Sequence, residues 1–315
     1  MWLVIFGHIS NEDTVYIGKI LLYIRMPLFF FISGYLFKNN IELKEFIKKT
    51  TKGLLLPYIT INLLVFIFTI PYYLLNDLNI VHQTKYIIKE IIAAESQHVG
   101  GATWFIICLF LTEFIAYFIL KLKTRISIAM LVIFAILATA PYIPKEYYLR
   151  IDVAFMAVPF FVGGFYCKKY CLFDRIKKNY LLDLVLVAMC LIIPLFNGKP
   201  NMYFRDMGNY PALYYPIIFV YIFTVQRLLS YIKVLPNMVK KISSGTIIYI
   251  GLQGVGILYW NYLLTKTGCF AFFPIDGYIN SILGSIIITV AIYPFMITIL
   301  SICPQLFGRK KIQNV

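Results

Sequence analysis

A chain of 315 residues that is 61% hydrophobic and only 14% charged, with a mean hydropathy of +0.80, carries too little polar surface for a soluble domain of that length. The formal charge of +15 does not point to nucleic acid, because the basic residues are scattered through short connections between apolar stretches, as positive-inside sorting requires. The six cysteines lie in or beside apolar segments, with no ligand-like clustering apart from Cys167 and Cys171, so neither a disulfide frame nor a metal site is expected.

A spanning helix needs about 20 mostly apolar residues, and the sequence offers ten such stretches, the first incomplete. The expected fold is all-α, a polytopic transmembrane helix bundle of about ten helices with the first truncated. Residues 1–305 are expected to form a single integral-membrane domain and 306–315 a short basic tail.

Residues 1–9, Met-Trp-Leu-Val-Ile-Phe-Gly-His-Ile, have the character of the last part of a membrane helix. A polar turn from Ser10 to Asp13 leads to a second helix over about 16–37, which contains Arg25-Met26-Pro27. A guanidinium inside a span costs about 2.5–3.5 kcal/mol on insertion scales, so it faces a partner or a watered cavity rather than lipid. Pro27 removes a backbone donor and bends the helix beside that charge, and Ser33-Gly34 supplies a small face for close approach. Arg25 is thus the first functional candidate, with Glu113, the carboxylate well inside a helix, as a potential bridging partner.

A basic segment over 38–53 follows, with Lys44, Lys48, Lys49 and Lys52, and then a third helix over 54–75. The longest connection, 76–103, holds His82 and His98 without metal-ligand spacing. Trp104 opens a fourth helix over 104–120, and further helices are expected over 126–143, 151–167, 181–196, 210–229, 246–264 and 278–302. Between the seventh and eighth runs a polar loop with Arg205 and Asp206. Alternate loops hold 20 of the 29 basic residues, which places both termini in the cytoplasm.

Three local patterns resemble the integral-membrane acyltransferase family 3, particularly its fucose 4-O-acetylase-like branch. They are Gly7-His8, the run Met26-Pro27-Leu28-Phe29-Phe30-Phe31-Ile32-Ser33-Gly34-Tyr35, and Thr103-Trp104-Phe105-Ile106. A fourth piece is Lys48-Lys49 followed by Leu55-Leu56-Pro57-Tyr58. The resemblance implies transfer of an acyl group, commonly acetyl from acetyl-CoA, to a hydroxyl of a surface sugar, with His8 catalytic. Two features depart from it. Relatives carry an Arg or Lys about ten positions before the histidine, in a stretch this sequence does not include. Many also have a late-helix histidine where Ile250-Gly251-Leu252-Gln253 ends in Gln253.

Helix order expects His8, Arg25 and Trp104 at one outward-opening pocket. Histidine, with an unperturbed pKa of about 6.5, suits removal of a sugar hydroxyl proton, and Arg25 suits the oxyanion formed on a thioester. An acyl-histidine intermediate on His8 stays open as an alternative route. Ser33, Trp104 and Glu113 are candidate substrate-binding residues, and Lys44, Lys48, Lys49 and Lys52 a docking surface for the phosphates of acyl-CoA. Each has a plainer role: helix-end capping for His8, helix packing for Ser33, an aromatic-belt anchor for Trp104, orientation or lipid-head attraction for the lysines.

The expected partners are therefore membrane lipid, a sugar or polysaccharide acceptor and acyl-CoA, with no metal and no nucleic acid. The expected location is a bacterial inner membrane. A transporter or flippase of a polar or anionic substrate, or an inactive truncated homologue, are the alternatives; the first favours paired broken helices in two corresponding halves, and no such symmetry is visible. A helix that reaches its histidine at position eight has about 12 Å of apolar rise before it, against a hydrocarbon thickness of about 30 Å. The reading frame is accordingly expected to extend upstream of Met1 and to encode a basic residue there.

Overall fold

The computed structural model describes residues 1–10, 16–94, 102–139, 148–173, 175, 178–269 and 277–308. Among them the secondary structure is helical, apart from one isolated antiparallel bridge between Asn201 and Asp206. The helices are α1 (Trp2–Ile9), α2 (Tyr16–Leu36), α3 (Leu43–Thr50), α4 (Leu56–Leu75), α5 (Ile80–Ala93), α6 (Trp104–Lys121) and α7 (Thr124–Thr139). They continue as α8 (Ile151–Lys169), α9 (Tyr180–Asn197), α10 (Tyr214–Leu229), α11 (Asn237–Ser244), α12 (Thr246–Thr267) and α13 (Tyr278–Ile302).

Eight described helical segments are long and apolar enough to cross a membrane, the joined rod of α3 and α4 counting as one. The 16 residues of α7 and the 8 of α1 add two shorter apolar helices in the places where the sequence puts its fifth and first. Helices suit this setting because each satisfies its own backbone groups where no water can. Their outer faces keep large apolar side chains exposed, as on α9 with Leu181, Leu184, Leu191 and Leu195, which in a membrane protein are the surfaces offered to lipid.

Two stretches expected to be plain connections are helical. The basic segment forms α3, whose lysines point outward while Phe46 is buried and stacks on Tyr117 at 4.4 Å; a π-helical turn, Thr51–Leu55, carries it without a break into α4. Its charges hide the apolar side from a reading of hydropathy alone. The connection after α4 contains α5, capped by the Asn79 side chain accepting from the His82 backbone N–H and held to α4 by the Tyr58 hydroxyl, which donates to the Ile91 carbonyl at 2.7 Å. Lys85, Lys89 and Glu90 interrupt the apolar pattern of this amphipathic helix and masked it in the sequence.

At the centre α2 and α8 cross with their backbones in direct contact. A Cβ placed on Gly34 would lie 1.8 Å from the Phe161 carbonyl oxygen, and one on Gly164 would lie 2.0 Å from the Phe31 carbonyl oxygen. This is the close approach that small residues permit between membrane helices. Phe160, Phe161, Val158 and Met156 of α8 are fully buried, and α6 and α7 pack on its other sides. Besides α8, α2 touches α1, α6, α9 and α10, so the helix carrying Arg25 is central and the helix carrying His8 is its neighbour. Through its far side α1 lies on α13, which packs on α12, and α12 packs on α4.

At the end of the bundle that bears the basic loops, α9 and α10 are tied by a buried charge cluster. Arg227 Nε donates to Asp183 Oδ1, and the Tyr231 hydroxyl donates to Asp183 Oδ2 at 2.6 Å. The contact pairs the two charges across the two helices.

The α2–α8 crossing leaves no room for a methyl group, so Gly34→Ala is expected to force the helices apart. Overpacking typically costs about 1–3 kcal/mol, and rigid backbone cannot yield as a side chain can. The variant should give less monodisperse protein on size exclusion and melt several degrees lower. Gly53→Ala, where no atom lies within 4 Å of the added carbon, is the matched control and should behave as wild type. Equal behaviour of the two variants would contradict the crossing.

Candidate active site

The last turn of α1 brings Gly7 and His8 beside α2. Gly7 has no side chain, and the Arg25 guanidinium occupies the space one would fill: a Cβ there would lie 2.4 Å from Arg25 Nη1 and 2.9 Å from Cζ. The cation thus lies flat against the α1 backbone next to His8, within reach of its ring electrostatically. His8 is exposed, between the buried Gly7 and Ile9. That combination allows His8 to meet a ligand while Arg25 is held from behind.

Local sequence sets this geometry. Pro27, buried within α2, has no N–H to offer the Tyr23 carbonyl one turn back, which loosens the helix at the level of Arg25. Tyr23 itself is anchored twice, by stacking on Tyr221 at 4.9 Å and by donating its hydroxyl to the Gly198 carbonyl at 3.1 Å. One turn below Arg25, Phe29 packs against Phe105 of α6, whose neighbour Trp104 begins that helix. Trp104 is only 5% exposed and meets the Tyr203 ring edge-on at 5.1 Å, so it lies under the 198–209 loop instead of anchoring an aromatic belt.

The other wall comes from α12 and α13. Ile9 of α1 and Trp260 of α12 meet at Gly284 of α13, and Trp260 Nε1 donates to Asn280 Oδ1 at 2.8 Å. Two polar side chains, one just after α1 and one in α12, have no hydrogen-bond partner among the described residues: the buried Ser10 hydroxyl, and both polar atoms of Gln253, which is 1% exposed. Gln253 lies two turns from Trp260 along α12. An amide buried at this cost is a group that wants a partner.

The remaining candidates are elsewhere. Ser33 is two turns beyond Arg25, about 12 Å along the axis, beside the glycine that makes the α8 crossing, so packing accounts for this stretch. Glu113 does not bridge to Arg25: its carboxylate is hydrogen-bonded to the Thr50 side chain and lies in the field of Lys49. Lys44, Lys48, Lys49 and Lys52 are exposed on and after α3, at the basic end. His82 is exposed on α5, and His98 lies outside the described residues.

A second buried charge group escaped sequence reasoning. Arg150 is 1% exposed, donates through Nη2 to the Tyr203 carbonyl, stacks its guanidinium 4.0 Å over the Tyr203 ring and sits 4.0 Å from Asp152 Oδ1. Arg205, buried in the same loop, donates to the Ala138 carbonyl at 2.8 Å. Arg150-Ile-Asp152 at the mouth of an apolar run was the available signal.

The acyltransferase-domain family model matches residues 1–300. The chain belongs to the acyltransferase 3 family. It is therefore a membrane acyltransferase, built on the helix order that the resemblance implies. No curated protein and no solved structure matches it.

Because Arg25 rests in the space left by Gly7, Gly7→Ala should push the guanidinium aside without opening the bundle, since the far end of a long side chain moves cheaply. The expected outcome is a loss of acyl transfer of tenfold or more with unchanged melting temperature. Wild-type turnover by this variant would show that the position of Arg25 does not matter to the reaction.

Proposed function

We propose that this acyltransferase moves an acetyl group from acetyl-CoA to a hydroxyl of an exported or surface sugar, in a bacterial inner membrane, with His8 and Arg25 as the reacting pair. The observation that carries the reading is the Arg25 guanidinium packed on Gly7 beside an exposed His8. In this reading His8 takes the hydroxyl proton as the sugar oxygen attacks the thioester carbonyl. Arg25 stabilises the oxyanion, the C–S bond breaks, and the coenzyme A thiolate leaves with the proton returned by His8. Arg25 is suited to this because its planar, permanently charged fork is held in place before the reaction begins. Trp104, under the 198–209 loop, borders the acceptor side.

The distribution of basic residues supports an orientation with both termini cytoplasmic and the His8 end outward. The donor then approaches from the opposite end, where Lys44, Lys48, Lys49 and Lys52 of the exposed α3 surface offer charge to the coenzyme phosphates. Ser33 and Glu113 have structural work in this reading, in the α2–α8 seam and the α3–α6 junction.

Acceptor-dependent release of free thiol from acetyl-CoA by the purified protein tests the assignment. His8→Ala should abolish it while membrane insertion and melting stay as in wild type, and Arg25→Lys should keep a small part, since an ammonium replaces a fork. Thiol release that persists in His8→Ala, or that never depends on an acceptor in wild type, would rule this chemistry out.

A further inference from the structure

A cavity of about 590 Å³ lies between α2, α8 and α10, away from His8 and Arg25. Its walls include Phe31, Phe173, Phe219 and Phe223, and it opens past the exposed Leu172 and Pro216 to the outside of the bundle. Of the described residues lining it, only Cys167 and Arg175 carry a polar side-chain atom. Arg175 follows the end of α8 and so stands at the basic end of the groove, exposed. Lys168, also exposed, lies 5.6 Å from the centre of the Tyr35 ring, and Tyr35 stacks on Phe173 of the lining.

We infer that this groove holds an anionic phospholipid, with an acyl chain along Phe219 and Phe223 and its phosphate between Arg175 and Lys168. Three features choose this occupant. The groove opens sideways, towards the faces of the bundle that meet lipid. Its cations are confined to one end, at the depth where headgroups lie, and basic pockets between membrane helices at that interface suit anionic heads. Apart from Cys167 and the cation at its end, its described walls offer no side-chain hydrogen bonds for the amides of a pantetheine arm, whereas a hydrocarbon chain needs none. Phe31 lies one turn from Gly34 on α2 and also lines the groove, so the bound lipid would cover the seam on which the centre of the bundle is built.

Native mass spectrometry of the full chain in detergent, with added dioleoyl phosphatidylglycerol or dioleoyl phosphatidylcholine, tests the inference. Wild type should retain phosphatidylglycerol in clear preference. Replacing each cation should weaken retention about fivefold, so Arg175→Gln with Lys168→Gln should bring phosphatidylglycerol down to the phosphatidylcholine level. Val220→Trp, which fills the groove without touching its charges, should lower retention of both lipids. Equal binding of the two lipids by wild type, or no effect of the double charge change, overturns the assignment. So does a double variant that keeps phosphatidylglycerol but loses binding of free coenzyme A, because the groove would then belong to the acyl donor.

Discussion

Two glycines decide how this bundle is built. Gly34 and Gly164 let α2 and α8 touch backbone to backbone, and that contact fixes both the spacing and the rotation of α2. Membrane helices gain nothing from simple burial of apolar surface against each other, since lipid is equally apolar; fit and small-residue contact must hold them. With α2 locked against α8 on one face, the faces left over meet α1, α6, α9 and α10. Arg25 is thereby turned towards α1, where Gly7 receives it, and Phe29 and Phe30 are turned towards Phe105. The placement of Arg25 against Gly7 is a consequence of packing one to three turns away.

The buried charges of the protein divide by what surrounds them. Asp183 with Arg227 and Tyr231, and Glu113 with Thr50, are closed units whose partners belong to the same helix pair or to the adjoining surface helix. Such groups hold elements together and leave nothing over for chemistry. Arg150 and Arg205 brace the 198–209 loop beside Trp104 through bonds to backbone carbonyls. Arg25 packs at the Gly7 position of α1, next to an exposed histidine. Charge in a span is costly, so Arg25 needs surroundings other than lipid, and the Gly7 contact supplies part of them.

Much of the fold was legible because length and hydropathy determine a membrane helix almost completely. The last helix, 278–302, was read with the bounds it has, and the others within a few residues of theirs where they are described. What hydropathy cannot see is an amphipathic helix: α3 and α5 mix lysines with apolar residues and looked like connections. The pairing of distant charges was equally hidden. Arg25 and Glu113 were natural partners on the rule that intramembrane charges meet, but helix order does not say how far along the axis each lies, and Glu113 found Thr50 instead. The structure packs Arg25 at Gly7, next to His8 in the chain; that contact depends on helix rotation, which no single sequence displays. Arg150 and Asp152 were invisible for a related reason, since flanking charges usually stay in the interface and these are buried by a loop 50 residues away in sequence.

The central claim is that the imidazole of His8 moves the proton in acyl transfer, with its exposed side open to small molecules. Chemical rescue addresses this directly: His8→Gly leaves a gap beside Arg25, and free imidazole can diffuse into it and act as the base. Acceptor-dependent thiol release from acetyl-CoA by that variant should rise with imidazole concentration, and the same addition should leave Arg25→Ala without recovery. If imidazole restores nothing to a well-folded His8→Gly protein, or if the variant is active without it, the proton is moved by some other group and the proposed mechanism is wrong.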